Sequence, residues 1–281
     1  VVGLGLMDGS LALRLKGNRL CRRVVGLARR PTTAAQAESL GAVDWATTDP
    51  ARALQQADIV VFCTPVRALV RQLHACAPHF KPGAIITDMG STKQRIVRAM
   101  EALPPHVYPV GSHPMCGKEV SGLAAAEASL FEGAAWVISP LTRTPEGVAA
   151  VVGDLARAVG ARPLELAPAR HDRLAAAISH APYLLSAALV LAAQSVAEED
   201  AAVWQVAASG FKDTSRLVAS NVEMMVDILL TNRAAVADML ARLEDQLQGL
   251  GRAVAAADEK ALRAALEQAR ARRQTLYPPA G

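Results

Sequence analysis

The chain has 281 residues, 30 basic against 26 acidic, for a formal charge of +4. Its length suits about two domains, and 52% hydrophobic against 20% charged residues excludes a disordered chain. Four cysteines (Cys21, Cys63, Cys76, Cys116) without CxxC spacing and scattered arginines without basic runs argue against zinc ribbons, a disulfide framework and nucleic-acid binding.

Val1-Val2 runs straight into Gly3, so the first strand is expected to have begun earlier, leaving no targeting segment to interpret. Val24 to Leu27 reads as the next strand. Pro31 opens a helix that Gly41 closes, and Asp49-Pro50 caps another to about Ala57. Asp58 to Cys63 is a continuous apolar strand, of the kind buried on both faces of a parallel sheet. A helix to about Ala77 follows, then strands at Ala84 to Asp88, Val107 to Val110 and Ala134 to Ser139. Pro145 to Val159 reads as a helix and Arg162 to Leu166 as a last strand. This alternation predicts a doubly wound α/β sheet over residues 1–167.

From Pro168 on, only helical periodicity remains, over about 169–196, 201–219, 223–256 and 258–275. The predicted second domain, 168–281, is therefore all-α. Leu184 to Ala193 is apolar on every side and must be buried all round, which points to an intertwined homodimer. The apolar run Ala181 to Ala193 falls short of the roughly 20 residues a membrane span needs, so a soluble, cytoplasmic protein is expected.

Gly3-Leu4-Gly5-Leu6-Met7-Asp8-Gly9-Ser10 lies between strand and helix, the setting of a dinucleotide fingerprint. Gly3 suits the tight turn and Gly5 the close approach of pyrophosphate, with a helix starting near Gly9 facing the phosphates. Leu6, Met7, Thr64 and Pro65 join this expected cofactor site. Asp8 stands where a third glycine belongs and is expected to weaken cofactor binding, with Gly9 expected to take over the close helix–sheet packing. After the second strand, Ala28-Arg29-Arg30 offers guanidinium groups where an NAD site usually offers a carboxylate, which favours NADP over NAD.

Three later segments carry polar residues at places suited to ligands: Thr87-Asp88-Met89-Gly90-Ser91-Thr92-Lys93, Gly111 to Glu119 (GSHPMCGKE), and Gly210 to Arg216 (GFKDTSR). With GLGLMDGS, HDR, SHAPYLL and ILLTNR, and in this order, they resemble the prephenate/arogenate dehydrogenases of tyrosine biosynthesis, in the stand-alone form. That resemblance implies a Rossmann-like NAD(P) domain, a helical dimerisation domain, and oxidative decarboxylation of prephenate to 4-hydroxyphenylpyruvate, or alternatively of arogenate to tyrosine. It also implies His113 as base for the ring hydroxyl, working near its ordinary pKa of about 6.5. Ser91 would orient His113 or the hydroxyl, Arg216 would clamp a substrate carboxylate, and His180 would meet the substrate side chain, with Lys212 and Asp213 also at the substrate. His171, half a turn out of phase with His180 in a straight helix, is expected to have only a supporting role. No metal-ligand spacing occurs, so no metal is expected.

Two departures stand out. Asp8 replaces a glycine, and Asn221-Val222-Glu223-Met224-Met225 replaces a DPxMW-like segment, with Met225 where a tryptophan often reaches the partner's site. A β-hydroxyacid-type dehydrogenase is the nearest rival, but Gly210-Phe211-Lys212 is not followed by its asparagine. A nucleotide-binding pseudoenzyme would lack the His113, Ser91 and Arg216 present here.

Overall fold

The computed structural model describes residues 1–145 and 147–278. Seven short strands form the sheet: β1 (Val25–Leu27), β2 (Trp45–Thr47), β3 (Ile59–Phe62), β4 (Ile85–Asp88), β5 (Tyr108–Pro114), β6 (Ala135–Pro140) and β7 (Arg162–Glu165). Val2 bridges in parallel to Leu27 on one side and Phe62 on the other, and so joins β2-β1 to β3-β4-β5-β6-β7. All pairings are parallel except β5 with β6, where His113 stands opposite Val137.

Alternation along each strand feeds a separate core on each face of the sheet. β3 sends Val60 and Phe62 into one cluster and Val61 into the other. On the first face, Phe62 and Ile86 are covered by Leu69 and Leu73 of α4 (Val66–Cys76) and Ile96 of α5 (Gln94–Glu101). These α4 and α5 residues are fully buried, each stabilising by about 1.5–3 kcal/mol. On the other face, α1 (Leu6–Gly17) and α6 (Val148–Ala158) share a core with Val110, Trp136 and Ile138, while α2 (Pro31–Ser39) packs on β1 and β2 at the far end of the sheet. The short helix α3 (Pro50–Leu54) joins β2 to β3.

Two sequence expectations change here. The first helix starts at Leu6, with Gly5 as its N-cap, and not near Gly9. Gly9 lies in the second turn, where an added Cβ would collide with Leu123 and sit 2.9 Å from Cβ of Ala126. Its missing side chain therefore lets α1 dock on the β5–β6 connection, not on the sheet.

Beyond β7, Pro168 occupies the first position of α7 (Pro168–Ala175), where its missing N–H costs nothing. A π-helical turn (Ala176–His180) leads into α8 (Ala181–Glu199). The helix expected at 201–219 is instead broken into a short turn (Ala201–Trp204), α9 (Ser209–Ser215) and another turn (Arg216–Ala219). Within it Thr214 Oγ1 bonds back to the Gly210 carbonyl at 2.8 Å, a local competitor for helical pairing. The helix expected at 223–256 divides at Asn232 into α10 (Val222–Thr231) and α11 (Arg233–Ala255), because the Asn232 side chain is drawn inward to bond residues of α7 and the π turn. Asn221 caps α10 through Met224 N at 2.9 Å, and Met225 is buried.

Compact packing separates Val1–Arg233 from the segment that starts at Ala234. This lies later than the seam anticipated at 167/168. The second unit consists of α11 and α12 (Glu259–Leu276), the latter capped by Asp258 through Ala261 N at 2.9 Å.

The apolar helix expected to be buried all round is open on one side in the single chain. Of α8 only Ala181 and Ser186 are buried, and Leu191 is 69% exposed. The run Pro168–Glu199 is, by length and composition, apolar enough to cross a membrane, although 28% of its most apolar window is buried against the chain.

Filling the space at Gly9 gives a direct check of the α1 docking. Gly9→Ala should lower stability by about 1–3 kcal/mol through overpacking, read as a lower urea midpoint. An unchanged midpoint would show that the Leu123–Ala126 segment gives way.

Candidate active site

The carboxyl ends of the parallel strands and the loops that follow them bring the candidate residues to one edge of the sheet, the usual ligand side of such folds. At its nucleotide end, Gly3 holds φ at +108°, open to glycine and strained for other residues. A Cβ there would collide with the Asp8 carboxylate and lie 3.1 Å from the Thr64 methyl.

Asp8 is buried inside this loop. Its Oδ1 accepts from Gly5 N at 2.5 Å and Gly9 N at 3.3 Å, so the carboxylate itself occupies part of the helix N-terminus. Burial pushes its carboxyl up to about 6, against hydrogen bonds that pull it down. Among the described residues, Leu6 N and Met7 N have no hydrogen-bond partner, which leaves two donors for an anion. Gly9 N is spent on Gly5 O at 3.1 Å. The loop thus fits a dinucleotide pyrophosphate, with Asp8 as an internal competitor. Thr64 Oγ1 bonds Gln72, Pro65 caps α4, and Arg29 and Arg30 are exposed just after β1.

One strand further, a buried ion pair fixes the two central loops. Lys93 Nζ pairs with Asp88 and donates to Ser112 O at 2.6 Å; both charged side chains are fully buried. Asp88 also accepts from Ser112 N at 2.9 Å and Gly90 N at 2.8 Å. Burial alone pushes the Asp88 carboxyl up and the Lys93 ammonium down, and their mutual attraction opposes both. This pairing holds the ends of β4 and β5 side by side, which sets where Ser91 and His113 emerge.

Of the two roles the resemblance implies for Ser91, orienting His113 or the ring hydroxyl, the first is taken by another residue. Among the described residues the Ser91 hydroxyl makes no hydrogen bond, and His113 Nδ1 lies 2.9 Å from His171 Nε2. His171 Nδ1 in turn lies 2.8 Å from Asp172 Oδ1. Asp172 accepts from Lys93 N at 2.6 Å and Gln94 N at 3.0 Å, so the same carboxylate closes the N-terminus of α5. Asn232 Nδ2 donates to Asp172 O at 2.7 Å and lies 3.2 Å from His180 Nδ1.

His113 also departs from the ordinary histidine pKa expected for it. Burial, with the neighbouring His171, Lys93 and His180, holds it well below 6.5. Burial likewise pulls His180 down to about 4. Asp172 is held below its ordinary value, because hydrogen bonds from His171, Gln94 and Lys93 outweigh the opposing effect of burial.

The π-helical turn explains why His171 and His180 both reach this cluster. Nine residues (180 − 171) of straight α-helix would turn them to opposite faces, but the wider turn at Ala176–His180 shifts the phase. His180 is 2% exposed and engaged with Asn232, so its ring is more enclosed than a substrate contact implies. His171 was expected only in a supporting role, and Asp172, Asp88, Lys93 and Asn232 were given no role of their own. The signal was present in the adjacent His171-Asp172 of the HDR segment.

The remaining candidates line the exposed rim. Arg216 pairs with Glu119 of the loop after His113, while Lys212 and Asp213 are exposed on α9. Lys118 of the same loop pairs with Glu127 at 2.6 Å.

Comparisons with known proteins agree on one family. Residues 11–165 match the model for "Prephenate dehydrogenase, nucleotide-binding domain", and residues 167–268 the model for "Prephenate dehydrogenase, dimerization domain". The chain is 34% identical to prephenate dehydrogenase of Bacillus subtilis over 85% of its own length and 65% of that protein, so it spans just under two thirds of that relative. It is 30% identical to cyclohexadienyl dehydrogenase of Zymomonas mobilis, covering 92% of this chain and 88% of that one. Among solved structures, prephenate dehydrogenase from A. aeolicus in complex with hydroxyphenyl propionate and NAD+ superposes with a TM-score of 0.92 at 26% identity, covering 98% and 96% of the two chains. Synechocystis arogenate dehydrogenase gives 0.82 at 30% identity, covering 98% of each.

The depressed imidazoles can be read directly. In an NMR titration of the free protein, His113 should stay neutral well below pH 6.5 and His180 should titrate near 4. A His113 midpoint at 6.5 or above would contradict the buried, cation-flanked site.

Proposed function

Because this chain belongs to the prephenate dehydrogenase family, we propose that it oxidatively decarboxylates prephenate to 4-hydroxyphenylpyruvate in tyrosine biosynthesis, with NADP preferred over NAD. The observation that carries this reading is a half-buried imidazole, His113, held neutral near the carboxyl end of β5 and backed by the His171–Asp172 pair. Arogenate, which differs in an amino group for the side-chain keto group, is the second reading; a structural relative bears that name.

The cofactor, when bound, supplies the nicotinamide that accepts hydride. Gly3, Gly5, Leu6 and Met7 would hold its pyrophosphate, and Thr64 and Pro65 would border it. Arg29 and Arg30 would meet a 2′-phosphate. As hydride leaves the hydroxyl-bearing ring carbon, His113 Nε2 takes the hydroxyl proton, leaving a dienone. Loss of carbon dioxide from the opposite carbon sends its electron pair through the ring to that oxygen. The resulting phenolate recovers the proton from His113, so no net proton is released. Ser91 would share the hydroxyl with His113. Arg216, held by Glu119 in this structure, would exchange that partner for a substrate carboxylate, with Lys212 and Asp213 around the side chain and His180 behind them.

The open face of α8 supports a homodimer, since its exposed Leu191 and Val196 need cover. That cover would be supplied by a second copy, in keeping with the matched dimerisation model. We place the enzyme in the cytoplasm, with no role for nucleic acid or membrane.

A spectrophotometric assay crossing prephenate and arogenate with both cofactors tests the reading; no turnover of either substrate would overturn it. His113→Asn should cut kcat by about 10²–10⁴-fold, and Arg216→Ala should raise the substrate KM with a smaller effect on kcat. The base must be neutral, so kcat should rise with pH through the depressed His113 pKa and be level above about 6.5. The cofactor KM should rise across pH 6 as Asp8 ionises, and Asp8→Gly should remove that rise.

A further inference from the structure

We propose that Asp172, acting through His171, fixes the tautomer that leaves His113 Nε2 free to accept a proton, and stabilises the charged imidazole once it has done so. The proposal deepens the reading of His113 as the base and rests on it for its catalytic consequence. The geometry is a continuous line: His113 Nδ1 to His171 Nε2 at 2.9 Å, then His171 Nδ1 to Asp172 Oδ1 at 2.8 Å.

The direction of each bond follows from donor and acceptor inventory. An ionised carboxylate only accepts, so His171 Nδ1 must donate to Asp172. For two neutral imidazoles, His171 then presents a bare Nε2 lone pair to His113. A contact of 2.9 Å between ring nitrogens requires a hydrogen between them. That hydrogen is on His113 Nδ1, and Nε2 of His113 is left as the lone pair facing outward. The opposite tautomer would set two lone pairs against each other.

The carboxylate is well placed for this work. Asp172 and His171 are 0% and 1% exposed, so the line is screened from water. Two backbone N–H groups of α5, from Lys93 and Gln94, hold the Asp172 oxygens in place and keep them ionised. The other titratable groups facing the His113 ring are Lys93, neutralised by Asp88, and His180, neutral above about 4 and tied to Asn232. Among the described residues, Asp172 is thus the one anion joined to His113 through hydrogen bonds, by way of His171. When His113 takes the substrate proton at Nε2, its Nδ1 hydrogen shifts toward His171, and the positive charge moves nearer to Asp172. Return of the proton to the phenolate reverses the shift. Aspartate behind histidine plays an equivalent part in serine hydrolases, where it orients the ring without itself taking the proton. His171 and Asp172 are positioning residues in this scheme, since neither touches the substrate.

The test reads the tautomer and the kinetics separately. Nitrogen-15 NMR of the imidazoles in the unliganded, full chain should show His113 protonated at Nδ1 and bare at Nε2. An Nε2–H tautomer in the unaltered protein would overturn the proposal, whatever its activity. His171→Phe keeps ring volume and removes the acceptor; it should leave His113 in mixed tautomers and lower kcat about 10²-fold with KM within twofold. His171→Gln restores an acceptor for the Nδ1 hydrogen and should recover the tautomer and part of the lost kcat. Unchanged tautomer and kcat in His171→Phe, or no rescue by His171→Gln in a chain that melts normally, would overturn it. If the unaltered protein turned over neither prephenate nor arogenate, the functional reading would fall while the NMR result still decided the tautomer.

Discussion

The Asp172 carboxylate is the constraint on which the site depends. It closes the N-terminus of α5, so it fixes the loop carrying Ser91 and Lys93. It bonds His171, so it fixes the ring against which His113 rests. Its own backbone carbonyl receives Asn232, which ties in the end of α10. A charge so deeply buried is tolerable only because several donors converge on it. Removing any one of them leaves the carboxylate short of a partner in a place water does not reach, so the arrangement behaves as a unit.

The Asp88–Lys93 pair serves the neighbouring strand ends in a similar way. It joins the β4 end to β5 through Ser112, and the two loops cannot shift independently while it is intact. The low dielectric that makes these contacts strong also explains why the His113 imidazole is held neutral to well below its ordinary pKa. Burial and the neighbouring Lys93, His171 and His180 all disfavour the imidazolium, and Asp172 is the carboxylate at the far end of the line.

Much of this was legible in the sequence. The alternation of apolar strands with capped helices fixed the sheet and its order of elements, because Pro, Gly and Asp at element ends act locally. The glycine loop, His113, Ser91 and Arg216 stood out as polar groups at strand ends or inside helical stretches. Three things were not readable, for reasons of tertiary origin. The break at Asn232 depends on partners in α7 and the π turn, distant in sequence. The pull on His113 comes from burial and from groups that only the fold brings together. The collision space at Gly9 involves Leu123 and Ala126, more than a hundred residues away, so the pattern alone suggested packing on the sheet.

His171 was expected to play only a supporting role, because nine residues of regular helix put it opposite His180. The π-helical turn between them holds one residue more than the α-helical path needs. That surplus makes chain length, and not side-chain identity, the sensitive property of Ala176–His180. Its small residues could be exchanged with modest effect. Dropping one of them would restore a regular helix and rotate everything beyond it by about 100°, the advance of one residue at 3.6 per turn. His180 would leave the interior, or α7 would roll and carry His171 away from His113. The spacing between the two histidines is in this sense a gauge length, which tolerates rewording but not shortening.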